Sequence, residues 1–428
     1  MSPDEMGNVS AGNSAMRVVH SAAMDWPRVH DGKPLDPAIQ ATTSSGHGLM
    51  MPLEVAARAA GVEILFEHKM TALHRASRTS GRIAGITAES HGTPVAIRAR
   101  KAVILATGGS TGNVNFRRMF DPRLTEEYFL AGMPWSNQDA SGELAAMDVG
   151  AALWGLANQT MEFAHVLTKR VVFGCRWGYR SLQWWPGSPV FDKAEATGLR
   201  IADFQNAILV NMLGRRFYDE TCGPYGHNLT GAVDPYIYGD YRNARDITYA
   251  PQNFFNAAMA GIGDGHNGGG PIWAIFDADA VAREKWNPVP PNVDIKNGFF
   301  FSANTLPELA NAIRMDYQRV PMPPDNLAET VARYNGFVDT GIDADFDKPT
   351  PRYKIAKPPF FAAWATPMVH DTRAGLRIDP ECRVLDHNGE IIPGLYCGGE
   401  SAGGFSQHGI GRAVCQGLIA AQTATQEP

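Results

Sequence analysis

Two glycine-rich turns carry the residues best suited to chemistry. Residues 392–421, IPGLYCGGESAGGFSQHGIGRAVCQGLIAA, run from an apolar strand through glycines and one acid into a helix. Gly398 and Gly399 allow a ligand to approach backbone with no Cβ in the way, and Glu400 stands at a strand end, where a carboxylate can meet hydroxyl groups. The helix that follows, with its body over 412–421, turns N-terminal amides toward the same ligand. Residues 101–113, KAVILATGGSTGN, repeat the pattern: five apolar residues read as a strand and run into Thr107, Gly108 and Gly109. Either turn alone also fits an ordinary strand-to-helix loop. Together they point to one shared ligand.

The elements that must position these turns are partly legible. Residues 52–60 have helical composition and end at Gly61; residues 62–67, VEILFE, read as a strand; residues 82–89 and 95–99 are β-rich and lead into the strand before the first turn. Between 134 and 359 the texture changes to one rich in Trp, Tyr, Pro and Gly, which suits a cap closing over a substrate. The segments on either side of it, 1–133 and 360–428, are then expected to fold together.

Composition narrows the function classes. The chain has 428 residues, 44% hydrophobic and 19% charged, enough for two sizeable cores. A net charge of −6 without a lysine or arginine run argues against nucleic acid or an anionic membrane as a partner. No apolar run approaches the length of a spanning helix and no basic-then-apolar leader opens the sequence, so the cytoplasm is the expected compartment. Five cysteines, at 175, 222, 382, 397 and 415, form no CxxC pair. That count suits a reducing compartment, with neither a disulfide framework nor a zinc or iron–sulfur site expected.

The segments around the turns resemble the flavoprotein family of fumarate reductase and succinate dehydrogenase, including soluble fumarate reductases and ketosteroid dehydrogenases. ATGGSTGN resembles that family's flavin-contacting turn, and DASGELAAMDVGA at 139–151 the segment after it. LVNMLGRRFYDE at 209–220 resembles the start of the substrate-capping domain, PIWAIFD at 271–277 a strand within it, and ETVARYN at 329–335 with GLRID and IPGLYCGGE the return to the flavin domain. The resemblance implies an α/β fold in which an FAD-binding Rossmann-like domain receives an inserted α+β cap. It implies FAD as cofactor, held by Ala106, Thr107, Gly108, Gly109 and Asn113 on the first turn and by Gly399, Glu400 and Gly411 on the second.

The family opens with a βαβ unit of roughly 30 residues whose GxGxxG turn holds the FAD pyrophosphate. Residues 1–34 are polar and small without that spacing, and the glycine cluster at 261–270 follows no β-branched strand and reads as a loop. The unit is therefore expected on a second polypeptide or to be lost, with a separate redox partner for electrons.

Flavin chemistry needs a substrate held against the ring, stabilised negative charge and a proton donor. By resemblance, His370 in VHDTRAGLRID and Arg412 in HGIGRAV take the substrate-holding positions, with His408 competing for the second; Arg373 and Arg377 flank the same turn. Fumarate reductases carry an acid-donating arginine soon after RFxxE and a relay arginine ahead of LVN. Here the chain continues TCGPYGH after Glu220, and residues 201–206 read IADFQN, without either. Fumarate reduction is thus disfavoured, and Tyr225 or His227 becomes the expected proton donor, as tyrosine is in ketosteroid dehydrogenases. Trp177, Tyr179, Trp184 and Trp185 suit a bulky substrate, or simply a core. Two readings follow: an FAD-dependent oxidoreductase acting on a CH–CH or C=C bond beside a carbonyl or carboxylate, or a non-catalytic relative that serves as a binding module.

Overall fold

The computed structural model of this chain describes residues 29–30, 33–34, 45–130, 137–155, 165–168, 170–178, 191–221, 258–259, 269–372, 374–404 and 410–427. It divides into two compact units, residues 1–71 with 87–97 and residues 72–86 with 98–428.

In the first unit, helix α1 (Ser45–Ala59) begins ahead of the expected Pro52 and stops at Gly61, whose φ of +80° suits a left-handed C-terminal cap. Residues 62–67 form no strand, contrary to the sequence reading. Val62, Leu65 and Phe66 stand exposed, and an extended segment without a neighbouring strand has no ladder to join. Strands β1 (Lys69–Arg75), β2 (Ile83–Ser90) and β3 (Thr93–Arg98) form a three-stranded sheet in that order, of which residues 72–75, 83–86 and 98 are counted with the second unit. His91 and Gly92, both at positive φ, make the two-residue turn between β2 and β3.

The second unit holds every element near the glycine turns. Strand β4 (Val103–Leu105) is followed by the short helix α2 (Val114–Arg117), helix α3 (Ser141–Asp148) and strand β5 (His165–Thr168). Strand β4 is shorter than the five apolar residues anticipated, because its laddered partner offers only Leu395, Tyr396 and Cys397.

An antiparallel sheet occupies the centre of the expected cap. It contains β6 (Ile208–Val210), β7 (Trp273–Phe276), β8 (Phe300–Ala303) and β9 (Phe360–Trp364), in the order β6-β7-β9-β8. Strand period fixes its two cores: Leu209, Ala274, Phe276 and Phe361 point to one, while Ile208, Val210, Trp273, Ile275 and Trp364 point to the other. Helix α4 (Ala278–Glu284) packs Ala280 on the first face. Helices α5 (Leu306–Ala312) and α6 (Pro324–Thr340) cover the second, α6 through Leu327, Val331 and Tyr334 at helical spacing. Helix α5 is closed by a capping box in which Thr305 and Glu308 satisfy each other's backbone amides.

Behind this sheet lies a buried charge cluster. Arg216 grips Glu220 through two hydrogen bonds of 2.7 and 2.9 Å and Asp343 through one of 2.8 Å, and Lys348 lies 3.2 Å from Glu220. Burial alone would raise the Glu220 pKa, but Arg216 and Lys348 outweigh it and pull it down to about 2. Tyr334 lies beneath both cations at ring distances of 5.1 and 5.0 Å.

The chain returns through β10 (Met368–Thr372), which pairs antiparallel with β5, and through β11 (Arg383–Leu385) and β12 (Ile391–Cys397). The order β11-β12-β4 joins the two ends of the sequence, with β12 parallel to β4. Helix α7 (Ile410–Thr425) packs on β12 with Arg412, Gln416, Ala420 and Ala424 inward, while Ile410, Val414 and Leu418 are exposed. Among the described residues no helix is long and apolar enough to cross a membrane, and no cluster of His, Cys, Asp or Glu could hold a metal ion.

The buried cluster sets a stability test. Glu220→Ala leaves two buried cations short of an anion and should cost about 3–5 kcal/mol in denaturant unfolding. Arg333→Ala, which removes an exposed pair with Asp345 and a guanidinium contact with the Phe337 ring, should leave the unfolding midpoint nearly unchanged.

Candidate functional site

Parallel pairing of β4 with β12 brings both glycine turns to one end of the sheet, since parallel neighbours terminate side by side. The amide of Gly398 continues the ladder onto Leu105 O at 3.0 Å. One step further, Ser401 Oγ donates to Gly108 O at 2.8 Å and lies 3.2 Å from Thr107 Oγ1, across 294 residues of sequence. The shared-ligand reading required this meeting.

Two further segments lock the turns. Gln138 donates to the Glu400 carboxylate at 2.8 Å, accepts from the Thr111 hydroxyl, and through its backbone carbonyl accepts from Gly112 at 2.9 Å. Thr372 Oγ1 accepts from the Ser110 amide at 3.1 Å, tying the first turn to β10. Gly109 is required there, because a Cβ would stand 1.9 Å from Thr372 Oγ1. Gly399 adopts φ +70° and its amide bonds Gln416 on α7 at 2.9 Å. Asn113 caps α2 by accepting from the Phe116 amide at 3.0 Å and donates to Asp139 O at 3.0 Å. Beneath the first turn, Arg117 is buried and donates to the carbonyls of Thr111, Leu124 and Thr125; burial lowers its pKa to about 10.

The open side of this junction has a defined chemistry. Ala106 and Thr107 are exposed, and nothing lies within 4 Å of where a Gly108 Cβ would stand. Gly399 and Glu400 beside them are half-buried. Small residues and bare backbone beside the Glu400 carboxylate could cradle a flat, hydroxylated ligand such as FAD.

Of the residues expected in catalysis, Arg412 is buried on α7 and its Nη2 donates to Thr372 O at 3.3 Å. His370 belongs to β10, its backbone opposite Val166 of β5, two residues before the Thr372 that braces the first turn. Gly411 is half-buried in the first turn of α7. Tyr225, His227, His408, Arg373, Tyr179, Trp184 and Trp185 lie outside the described residues. Trp177 is buried in the second core cluster, and the Arg377 guanidinium lies 5.7 Å from the Trp154 ring.

Sequence reasoning missed Gln138, Thr372, Ser401 and Glu143. Gln138 and Thr372 are ordinary polar residues outside the glycine pattern, Ser401 is a small polar residue within it, and none carries a signal of its own. Glu143 carried one: an acid in a helical run of small apolar residues, SGELAAMD. It is fully buried, and burial raises its pKa to about 8. A cavity of about 390 Å³ between Asp203, Gln205, Thr221 and Arg352 lies elsewhere, and Gln205 there is already bonded to Pro349 O and the Arg352 amide.

Comparison with known proteins identifies the family. The chain is 28% identical over 413 residues to a 3-oxosteroid 1-dehydrogenase of Mycolicibacterium smegmatis, covering 88% of this chain and 61% of that one. It is 28% identical over 329 residues to an NADH:acrylate oxidoreductase of Vibrio harveyi, covering 76% of this chain and 26% of the relative. The chain thus spans less than two thirds of these relatives. Among solved structures, a 3-ketosteroid Δ1-dehydrogenase from Sterolibacterium denitrificans shares the α/β fold with a TM-score of 0.55 at 22% identity, over 89% of this chain and 63% of that one. The FAD binding domain family matches residues 28–413, and this chain belongs to it.

Proposed function

We propose that the chain is the FAD-holding, substrate-capping part of an oxidoreductase that exchanges a hydride with a CH–CH or C=C bond beside a carbonyl or carboxylate. The observation that carries the reading is the junction of the two turns, Thr107 and Gly108 against Ser401, with Glu400 at its rim. The two relatives support the bond type, since one acts on a 3-oxosteroid and the other on acrylate. Bound FAD supplies the hydride acceptor or donor.

The chain's own residues do the rest. Ala106, Thr107, Gly108, Gly109, Asn113, Gly399, Glu400 and Gly411 hold and orient the cofactor. His370 and Arg412 bind the activating oxygen of the substrate, and the 222–227 segment brings Tyr225 or His227 as proton donor. Residues 1–133 and 360–428 form the cofactor domain and 134–359 the cap.

A second reading, one chain of a split enzyme, draws on α7. Its inward stripe is Arg412, Gln416, Ala420 and Ala424, while Ile410, Val414 and Leu418 face outward. An apolar outer stripe of this kind suits a further polypeptide or redox partner.

Purified protein mixed with FAD should retain flavin absorbance through gel filtration, and the bound flavin should bleach on adding a saturated 3-oxosteroid or recover colour on adding acrylate after reduction. Protein that stays colourless when given FAD would defeat the reading. Gly109→Ala should weaken FAD binding about tenfold or more by forcing the turn away from Thr372, and Thr372→Gly in the same chain should recover part of the loss.

A further inference from the structure

Glu143 is the third residue of α3, and it is 0% exposed. Among the described residues neither of its carboxylate oxygens has a hydrogen-bond partner beyond the pull of its own backbone amide. The charges that act on it most are both negative: Asp139, from the loop before α3, and Glu400, from the turn after β12. Below it lies Cys397, the last residue of β12, a fully buried thiol that senses Glu143 and also Arg412 from α7. The preceding residue, Gly142, brings its backbone so close to the first turn that a Cβ would stand 2.0 Å from Thr107 Oγ1.

Glu143 therefore lies where α3 approaches both glycine turns, and among the described residues it has no cationic partner of the kind that Arg216 and Lys348 provide for Glu220. A helix N-terminus favours an ionised acid, but burial first and the two neighbouring carboxylates second push the other way. While the carboxyl is neutral the junction stays closed. Once it ionises, a charge stands in a fully buried place that offers it no hydrogen-bond partner among the described residues, and the relief is to admit water beside α3. We propose that Glu143 is a positioning residue: its neutral carboxyl holds the two cofactor turns in register, and loss of its proton loosens the grip on FAD. The inference rests on the FAD reading above.

The sign of the linkage is fixed. The acid titrates near 4.5 in an unfolded chain and at about 8 in the folded one, so its contribution to stability is full below 4.5 and declines as pH rises through about 8. The test titrates FAD into wild type, Glu143→Gln and Glu143→Met from about pH 6 to about pH 9.5, reading flavin fluorescence quenching. All three should bind alike at the acid end; the wild-type Kd should then rise about tenfold per pH unit beyond pH 8 while both variants stay within about twofold. A variant that weakens with the wild-type slope, or a flat wild-type profile, overturns the proposal and leaves the FAD reading intact. No FAD binding by any protein defeats the FAD reading, and cofactor-free melting then judges Glu143. The Tm gap between wild type and Glu143→Gln should vanish near pH 5 and widen toward pH 8.5, and a constant gap overturns the proposal.

Discussion

Everything at the candidate site depends on one short parallel ladder. Three residues of β4 lie against three of β12, and only that register lets turns 294 residues apart share an end of the sheet. Parallel strands cannot be joined by a tight turn, so the intervening chain must leave the sheet and come back. It does so as the four-stranded antiparallel sheet and its helices, and it returns through β10, whose Thr372 braces the first turn. The junction of the turns and that sheet are in this sense one topological consequence.

The second unit contains two fully buried glutamates that make a controlled comparison. Glu220 has two cations in contact and is pulled down; Glu143 has two carboxylates as its strongest neighbours and is pushed up. Both lose the same hydration, so the difference lies in the sign of what surrounds them. The first arrangement ties Arg216 and Glu220 to Asp343 and Lys348. The second leaves a carboxyl without a hydrogen-bond partner among the described residues, beside glycine turns that are pinned by Ser401, Gln138 and Thr372.

Much of this was legible in the sequence, for identifiable reasons. The glycine turns announce themselves because close approach and positive φ leave few alternatives to glycine, and Gly109 and Gly399 meet those demands. The β-rich runs before β4 are legible from apolar content, and the strand WAIF from the family resemblance of PIWAIFD. The segment 62–67 misled because apolar composition says nothing about whether a partner strand exists. Gln138, Thr372 and Ser401 stayed hidden because their importance comes from where distant chain segments meet. The proton donors expected at Tyr225 and His227 fall outside the described residues and keep the standing of expectations.

The cluster of Arg216, Glu220, Asp343 and Lys348 balances two cations with two anions around Tyr334. Neutralising any one member leaves a charge stranded in a medium that cannot solvate it, whereas exchanging the whole set for apolar side chains of similar volume does not. Homologues can therefore depart from this quartet only by concerted replacement. Along a lineage its four positions should behave as a single heritable character, preserved together or abandoned together.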